Sequence, residues 1–285
     1  MTGLRELLER GRIIAAPGAA DALTARLIAR SGFGAVYMTG LGATASRLGM
    51  PDLGLMTQSE MADHARNMTR AAGIPVIADA DTGYGGPLNI RRAVSDYAMA
   101  GVAALHLEDQ ESPKRCGQLS GVRLVAVPEA EARLRAALAA RDDIAPEMLV
   151  IGRTDALAAT GIDEAVSRAK RYAHCGVDLV FVDGIKTRQQ VEAVAWQVPG
   201  RKVVSLVDGT EAAAVTLPEL QEMGFSICLY AVTTLFAALG AQARALQTLV
   251  SNGHVEGIAG QASYAEFCEI VGLAQHQSFA HDFET

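Results

Sequence analysis

The chain has 285 residues, of which 50% are hydrophobic and 20% charged, with a formal net charge of −7 and a pI near 5.4. An acidic balance of this kind excludes nucleic acid and anionic membrane as main partners, because both call for a basic surface. A small anionic substrate held by a local cluster of Lys and Arg stays open, and the length suits either one large α/β barrel or two ordinary domains.

No apolar run reaches bilayer length, and Met1-Thr2-Gly3-Leu4-Arg5-Glu6 lacks the pattern of a secretory leader, so a cytoplasmic protein is expected. Cys116, Cys175, Cys228 and Cys268 lie far apart with no CxxC or Cys/His spacing, which supports neither a disulfide framework nor a zinc site. Cys228 and Cys175 read as core residues; Cys116 alone has a charged setting.

In chain order, short apolar runs alternate with stretches of helical period. Strands are expected at Ile13–Ala16, Ala35–Thr39, Pro75–Asp81, Ala104–Glu108, Leu149–Arg153, Leu179–Asp183, Lys202–Val207 and Ser226–Tyr230. Helices are expected at Asp21–Ser31, Gln58–Ala72, Leu88–Ala100, Pro128–Arg141, Ile162–His174, Arg188–Val198, Leu217–Met223 and Thr233–Asn252. About eight strand–helix units without a break in composition are what a (β/α)8 TIM-type barrel requires. A doubly wound open sheet is the alternative that periodicity leaves standing. Gly73, Gly101, Gly176 and Gly224 each fall between a helix and a strand, where a left-handed C-cap is wanted. With no linker or low-complexity tract, residues 1–285 read as one barrel domain with a C-terminal helical tail over about 255–285, clearest from Ser263.

Parallel barrels do their chemistry at the carboxyl ends of the strands. Here several strands end in charge: Asp79 and Asp81 after the third, Glu108 and Asp109 after the fourth, Arg153 and Asp155 after the fifth, Asp183 after the sixth. Period-two alternation places Asp79 with Asp81, and His106 with Glu108. Three carboxylates, Asp79, Asp81 and Glu108, at one mouth would repel unless a hard cation sits among them, and Mg2+ is the natural one. Asp155 reads as a helix cap and His106 as a satisfied core histidine. Arg153 reads either as a structural ion-pair partner of these acids or as a bidentate fork for a substrate carboxylate, and its position favours the second. Thr39-Gly40-Leu41-Gly42 and Thr82-Gly83-Tyr84-Gly85-Gly86 match no nucleotide-binding motif and read as tight turns whose amides are free to hold a carboxylate. In Lys114-Arg115-Cys116-Gly117-Gln118 the flanking cations point to a partly exposed, reactive thiol.

Taken together, Pro17-Gly18-Ala19-Ala20-Asp21-Ala22, Asp79-Ala80-Asp81-Thr82-Gly83-Tyr84-Gly85, Leu107-Glu108-Asp109-Gln110 and Pro113-Lys114-Arg115-Cys116-Gly117 resemble the isocitrate lyase / phosphoenolpyruvate mutase superfamily over nearly the whole chain. The nearest branch is that of the 2-methylisocitrate and 2,3-dimethylmalate lyases. The resemblance implies a (β/α)8 barrel and a Mg2+ ion, with Mn2+ as the alternative, near Asp79, Asp81 and Glu108. It implies catalytic roles for Cys116, Lys114, Arg153 and Glu108. Substrate contacts are implied at Thr39, Gly40, Leu41, Asp52, Arg153, Gly117, Gln118, Asp183 and Ser205. It further implies a gate around Cys116 with Gly117 and Gly121 as hinges, Cys116 as general acid, and a homo-oligomer, a tetramer, whose tail packs on a neighbour. The activity implied is retro-aldol (retro-Claisen) cleavage of a small 2-hydroxy di- or tricarboxylate.

Gln118 stands where the lyases usually have His, Val122 where they have Lys, Ala20 where an aromatic is common, and Ser205-Leu206-Val207-Asp208-Gly209 where an Asn-containing segment is usual. A decarboxylase or hydrolase of an oxaloacetate-like 2-oxo acid, a phosphonomutase-type enzyme, and a non-catalytic metabolite-binding barrel are the competing readings.

Overall fold

The computed structural model describes residues 3–284. A short helix α1 (Leu4–Glu9) precedes β1 (Ile14–Ala19), α2 (Ala22–Arg30), β2 (Val36–Met38), α3 (Gly40–Leu48), α4 (Gln58–Ala72) and β3 (Val76–Asp79). There follow α5 (Pro87–Met99), β4 (Ala104–Glu108), α6 (Val127–Ile144), β5 (Leu149–Thr154), α7 (Ala156–Thr160), α8 (Ile162–His174) and β6 (Leu179–Val182). The remainder is α9 (Arg188–Gln197), β7 (Lys202–Ser205), a 3-10 turn at Glu211–Ala214, α10 (Leu217–Glu222), β8 (Ile227–Tyr230), α11 (Thr233–Asn252), α12 (Tyr264–Val271) and α13 (Leu273–His281).

All strands run parallel in the order of the chain, and β1 pairs with β8 from Ile14↔Ile227 to Pro17↔Tyr230. That last pairing closes the sheet and rules out the open doubly wound alternative. Each strand sends alternate residues inward. Ile14, Ala16, Tyr37, Ile77, Ala104, Leu149, Ile151, Leu179, Phe181, Val203, Ile227 and Leu229 fill the interior, and Leu4 and Leu8 of α1 join the same cluster. The other faces of the strands pack on the helices, with Val150, Leu105 and Leu107 against Leu134 and Tyr172, and Val180, Val182 and Val204 against Val166 and Val194.

Local chemistry starts and stops the helices as the sequence suggests. Thr57 and Glu60 form a capping box at α4, and Thr187 with Gln190 does the same at α9. Gly73, Gly101, Gly176 and Gly224 take φ of 64°, 82°, 90° and 80°, the left-handed region that glycine enters without a Cβ penalty.

Three helices lie outside the expected pattern: α1, α3 and α7. Gly40-Leu41-Gly42 reads as a turn, yet it opens α3, with Thr39 as N-cap. Gly42 is needed there because a Cβ would come within 3.0 Å of Ala20 Cα. The third strand ends at Asp79, two residues earlier than expected, and Asp81 adopts φ 47°. Asp79 and Asp81 therefore face each other through a turn, with the Asp81 N–H donating to Asp79 Oδ1 at 2.9 Å, and not through strand alternation.

Chain contacts divide into one unit through Thr233, which holds the barrel, and a second from Thr234 onward. This division falls before the residue near 255 where the sequence puts the start of the tail. In the second unit Ser263 and Glu266 form a capping box and Gly272, at φ 72°, ends α12. No helix among the described residues is long and apolar enough to cross a membrane.

Candidate active site

Strand alternation delivers a ring of polar side chains to the carboxyl end of the barrel. Glu108 and Arg153 are register partners on β4 and β5, and Asp79 pairs with His106 one step below. Arg153 is 5% exposed. Its guanidinium donates to Asp155 (Nε to Oδ2, 3.1 Å; Nη2 to Oδ1, 2.8 Å) and to Asp183 Oδ2 (2.8 Å), and lies 3.2 Å from Glu108 Oε2 and 3.9 Å from Asp79 Oδ2. It also stacks 5.4 Å from the Phe181 ring centroid. Asp155 does occupy the N-cap position of α7, but it makes no side-chain cap bond there, because its carboxylate is committed to Arg153.

The segment after β4 folds over this ring. Its neck is closed by the Gln110↔Leu124 bridge and by Glu111 N–H to Arg123 O at 2.8 Å. The Gln110 amide grips the Arg115 backbone at both groups (2.8 and 3.1 Å), and Arg115 Nη1 donates to Ser120 O at 2.9 Å. Lys114 Nζ inserts between Asp52 (2.8 Å to Oδ1) and Asp81 (2.8 Å to Oδ1). Cys116 N–H donates to Asp52 O at 3.0 Å. Gly117 lies directly on the Arg153 ring: an added Cβ would overlap Asp155 Oδ1 and Asp183 Oδ2 and come 3.1 Å from Arg153 Nη2. Its φ is outside the left-handed region, so a close approach and not hinge freedom demands glycine here; Gly121, at φ 79°, has the hinge-like backbone.

Burial dominates the electrostatics. It pushes the Cys116 thiol up to about 11, with Asp183 and Asp52 adding to the rise and the Gln118 N–H and Arg153 opposing it. The expectation that neighbouring cations lower this thiol fails, because Lys114 is turned to Asp52 and Asp81 while Arg115 is turned to Ser120. Cys116 is therefore a protonated thiol at neutral pH. Burial also lifts Asp81 to about 6 against the pull of Lys114, and raises Glu108 well above its usual range against Arg153. Asp79 is held well below its range: burial raises it, but His106, Lys114 and Arg153 together outweigh that. His106 is itself kept neutral by burial, at about 4, so at neutral pH the two cations carry the effect. Tyr37 satisfies His106 Nε2 at 3.1 Å, while Nδ1 has no hydrogen bond and sits 3.7 Å from Asp79 Oδ1. The core-histidine expectation is half met.

Among the described residues no three His, Cys, Asp or Glu side chains form a ready-made metal cluster. Asp79, Asp81 and Glu108 do reach adjacent strand ends, but Lys114 and Arg153 stand between them. Both Glu108 oxygens are buried without a hydrogen bond, the nearer 3.2 Å from Arg153 Nη2, and Asp81 Oδ1 has only its 2.8 Å ion pair with Lys114. Buried carboxylate oxygens left in this state are costly, and a hard cation relieves them. The donor set, all carboxylate oxygen, fits such an ion.

Residues 4–250 match the phosphoenolpyruvate phosphomutase family. The chain belongs to that family. It is 37% identical over 283 residues to the 2,3-dimethylmalate lyase of Eubacterium barkeri, covering 99% of this chain and 97% of that protein. An oxaloacetate acetylhydrolase solved with the inhibitor 3,3-difluorooxalacetate superposes with a TM-score of 0.91 at 36% identity, over 98% of this chain and 95% of that one. A phosphonopyruvate hydrolase solved with oxalate and Mg2+ superposes with a TM-score of 0.87 at 28% identity, over 98% and 97%. The relatives and structural neighbours of this chain thus include a lyase and hydrolases on one fold.

Of the site residues read from sequence, the structure brings Asp52, Asp79, Asp81, Glu108, Lys114, Gly117, Arg153 and Asp183 into one buried network, with Cys116 half-buried beside it, as a partly exposed thiol is expected to be. Thr39 caps α3, and the Gly40 N–H points to Asp79 Oδ2 at 3.3 Å, so the Thr39–Leu41 amides form the start of a helix at the rim. Gln118 offers its backbone N–H to Cys116. Ser205 ends β7, buried, and joins by position. Cys228 is fully buried, whereas Cys175 is only partly so, 3.9 Å from Arg135. Sequence reading missed Asp155 as the partner of Arg153; their i,i+2 spacing at a strand end was the available signal.

Proposed function

We propose that this protein is a Mg2+-dependent C–C lyase that cleaves a small 2-hydroxy di- or tricarboxylate, of the alkylmalate or 2-methylisocitrate kind, into a 2-oxo acid and a second carboxylic acid. The observation that carries this reading is a protonated Cys116 thiol on a folded-over segment, beside a buried ring of one guanidinium and several carboxylates. Asp79, Asp81 and Glu108 would hold the ion, which when bound supplies charge stabilisation for a developing enolate-like oxyanion; Mn2+ is the alternative. Arg153 takes one substrate carboxylate through its planar fork, exchanging it for part of its present acid shell. The amides at the start of α3 and Asp52 orient the remaining oxygens.

In the reaction, the carbinol hydroxyl gives its proton to a carboxylate of the ring, the adjacent C–C bond breaks, and the electron pair stays on the departing carboxylate fragment as its aci form. Cys116 then delivers its proton to that carbon. A thiol held protonated to about 11 is suited to giving a proton only to a strongly basic carbon. Lys114 stays charged, its acidic partners outweighing burial, and offsets the anionic ring as the segment closes. Closure also shields the aci-carboxylate from water.

Release of 2-oxo acid from alkylated malates and 2-methylisocitrate, with and without Mg2+, tests this. Cys116→Ser is expected to lower turnover by about 10²–10⁴-fold, the usual worth of one general acid, while leaving product binding intact. Likeness to an oxaloacetate acetylhydrolase favours a second reading, hydrolysis of an oxaloacetate-like 2-oxo acid, in which Cys116→Ser keeps most activity. Wild-type turnover in that variant on the best substrate would sink the lyase reading.

The proposal includes a homo-oligomer, a tetramer, in which the tail belongs to the same functional domain and packs on a neighbour. Tyr264, Phe279 and Phe283 are 81%, 69% and 74% exposed, more apolar surface than a solvated helix pair needs. Four free cysteines suit a cytoplasmic setting.

A further inference from the structure

We propose that Asp109, from the outer face of the barrel, is a positioning residue that fixes both the Arg153–Asp155 pair and the root of the 111–124 segment. Asp109 is 2% exposed and its carboxylate accepts from four donors. These are Asp155 N–H (2.9 Å), Thr154 Oγ1 (2.7 Å), Tyr172 OH (2.6 Å) and Arg168 Nη1 (3.1 Å). Two of the four belong to the fork's own stretch of chain: Thr154, which lies between Arg153 and Asp155, and the Asp155 backbone itself. The Asp109 carbonyl also accepts from Val125 N–H at 2.9 Å, and Arg168 Nη1 donates to Val125 O at 3.0 Å. Val125 is the point where the folded-over segment rejoins the barrel, two residues before α6 begins. The Asp109 carboxylate therefore ties together the end of β4, the end of β5 and helix α8, and reaches the return of the segment through Arg168, beside the direct bond from its own backbone carbonyl.

Stability alone does not call for this arrangement. A buried carboxylate with one guanidinium partner generally adds little over a well-packed apolar group of the same volume, whereas it fixes geometry by direction. What it fixes here is the working part of the site. Asp155 grips Arg153 through both oxygens, and its own backbone N–H is held by Asp109 Oδ1. Gly117 seats against both Asp155 and Arg153. A shift of the Asp155 backbone would move the guanidinium and the surface on which the segment closes, together. Adjacent Gln110 holds the other side of the neck through the Arg115 backbone.

This inference rests on Arg153 as the carboxylate-binding residue, and the experiment separates the two. Oxalate, a planar dianion, is titrated calorimetrically in the presence of Mg2+ into the intact wild-type enzyme and into Arg153→Gln, Asp109→Asn and Thr154→Val. Asp109→Asn keeps an acceptor of the same size but lacks the charge that orders four donors. With far-UV CD unchanged, it should bind oxalate about 10- to 100-fold more weakly, the usual effect of losing a partner that orients a site group. Thr154→Val removes a single link and should weaken oxalate between about twofold and tenfold. Both should raise KM more than they lower the melting temperature would suggest. Should Asp109→Asn fold and bind oxalate as the wild type does, with only its melting temperature lowered, the positioning role is overturned. Should it fail to fold, wild-type affinity in Thr154→Val overturns it instead. Oxalate binding that survives in Arg153→Gln would overturn the assignment of Arg153, and this inference with it.

Discussion

Gly117→Ala is the smallest change that tests whether the 111–124 segment must close on the Arg153 ring. Because Gly117 is not in the left-handed region, alanine brings no backbone strain, and the added methyl is the whole perturbation. That methyl would overlap carboxylate oxygens of Asp155 and Asp183 and lie 3.1 Å from Arg153 Nη2. None of the three can yield freely, since Asp155 and Asp183 are both bonded to Arg153 at 2.8 Å. Inserting a methyl into so tight a contact costs about 1–3 kcal/mol, which disfavours the closed arrangement roughly 5- to 150-fold. The penalty is avoided if the segment stays open, so the melting temperature should hardly move. Turnover should fall by roughly the same factor, and iodoacetamide should reach Cys116 faster, since opening uncovers the half-buried thiol. Gly117→Ala with wild-type turnover and wild-type alkylation rate would refute closure onto the ring.

Other outcomes follow from the same geometry. Asp81→Ala, which removes the buried carboxylate paired with Lys114, should abolish turnover and Mg2+ binding by calorimetry with a nearly native CD spectrum; full wild-type activity after exhaustive chelation would count against the metal. With the Cys116 pKa pushed up to about 11, only about one thiol in 10⁴ is ionised at pH 7. Its alkylation by iodoacetamide should therefore quicken about tenfold per pH unit from 7 to 10, because raising pH populates the thiolate; levelling off near pH 8.5 would show an unperturbed thiol. Removal of residues 263–285 should lower the oligomer mass seen by light scattering, and a monomer mass for the intact chain at micromolar concentration would refute the tail's role.

The barrel was legible because strand-length runs and helical stretches alternate with glycine C-caps between them, signals that are local and repeat. Asp79, Glu108, Arg153 and Asp183 were legible for a related reason: a charge that ends a buried strand has few structural uses. What sequence reading could not supply was commitment between side chains. Asp155 looks like a cap until Arg153 is seen to occupy it, and Lys114 looks like a neighbour of Cys116 until its ammonium is found on Asp52 and Asp81. The pull of the flanking cations on the thiol is missing for that reason, since adjacency along the chain is not proximity in space. Helix α3 was missed because Gly40 and Gly42, chosen for close packing at its start, carry a turn's signature.

The cross-bracing of the folded-over segment bears on what binding energy is spent on. Arg115 is tied to Ser120 and, through its backbone, to Gln110, while the Gln110↔Leu124 bridge closes the base. A slack loop would have to be ordered each time substrate arrives, at about 1–2 kcal/mol per residue of lost backbone freedom. A segment knotted to itself in this way has already given up most of that freedom when the chain folds, so a gate built on it would move as one flap. Substrate affinity is then available for orienting the reacting groups instead of for freezing a lid, and opening and shutting can keep pace with turnover.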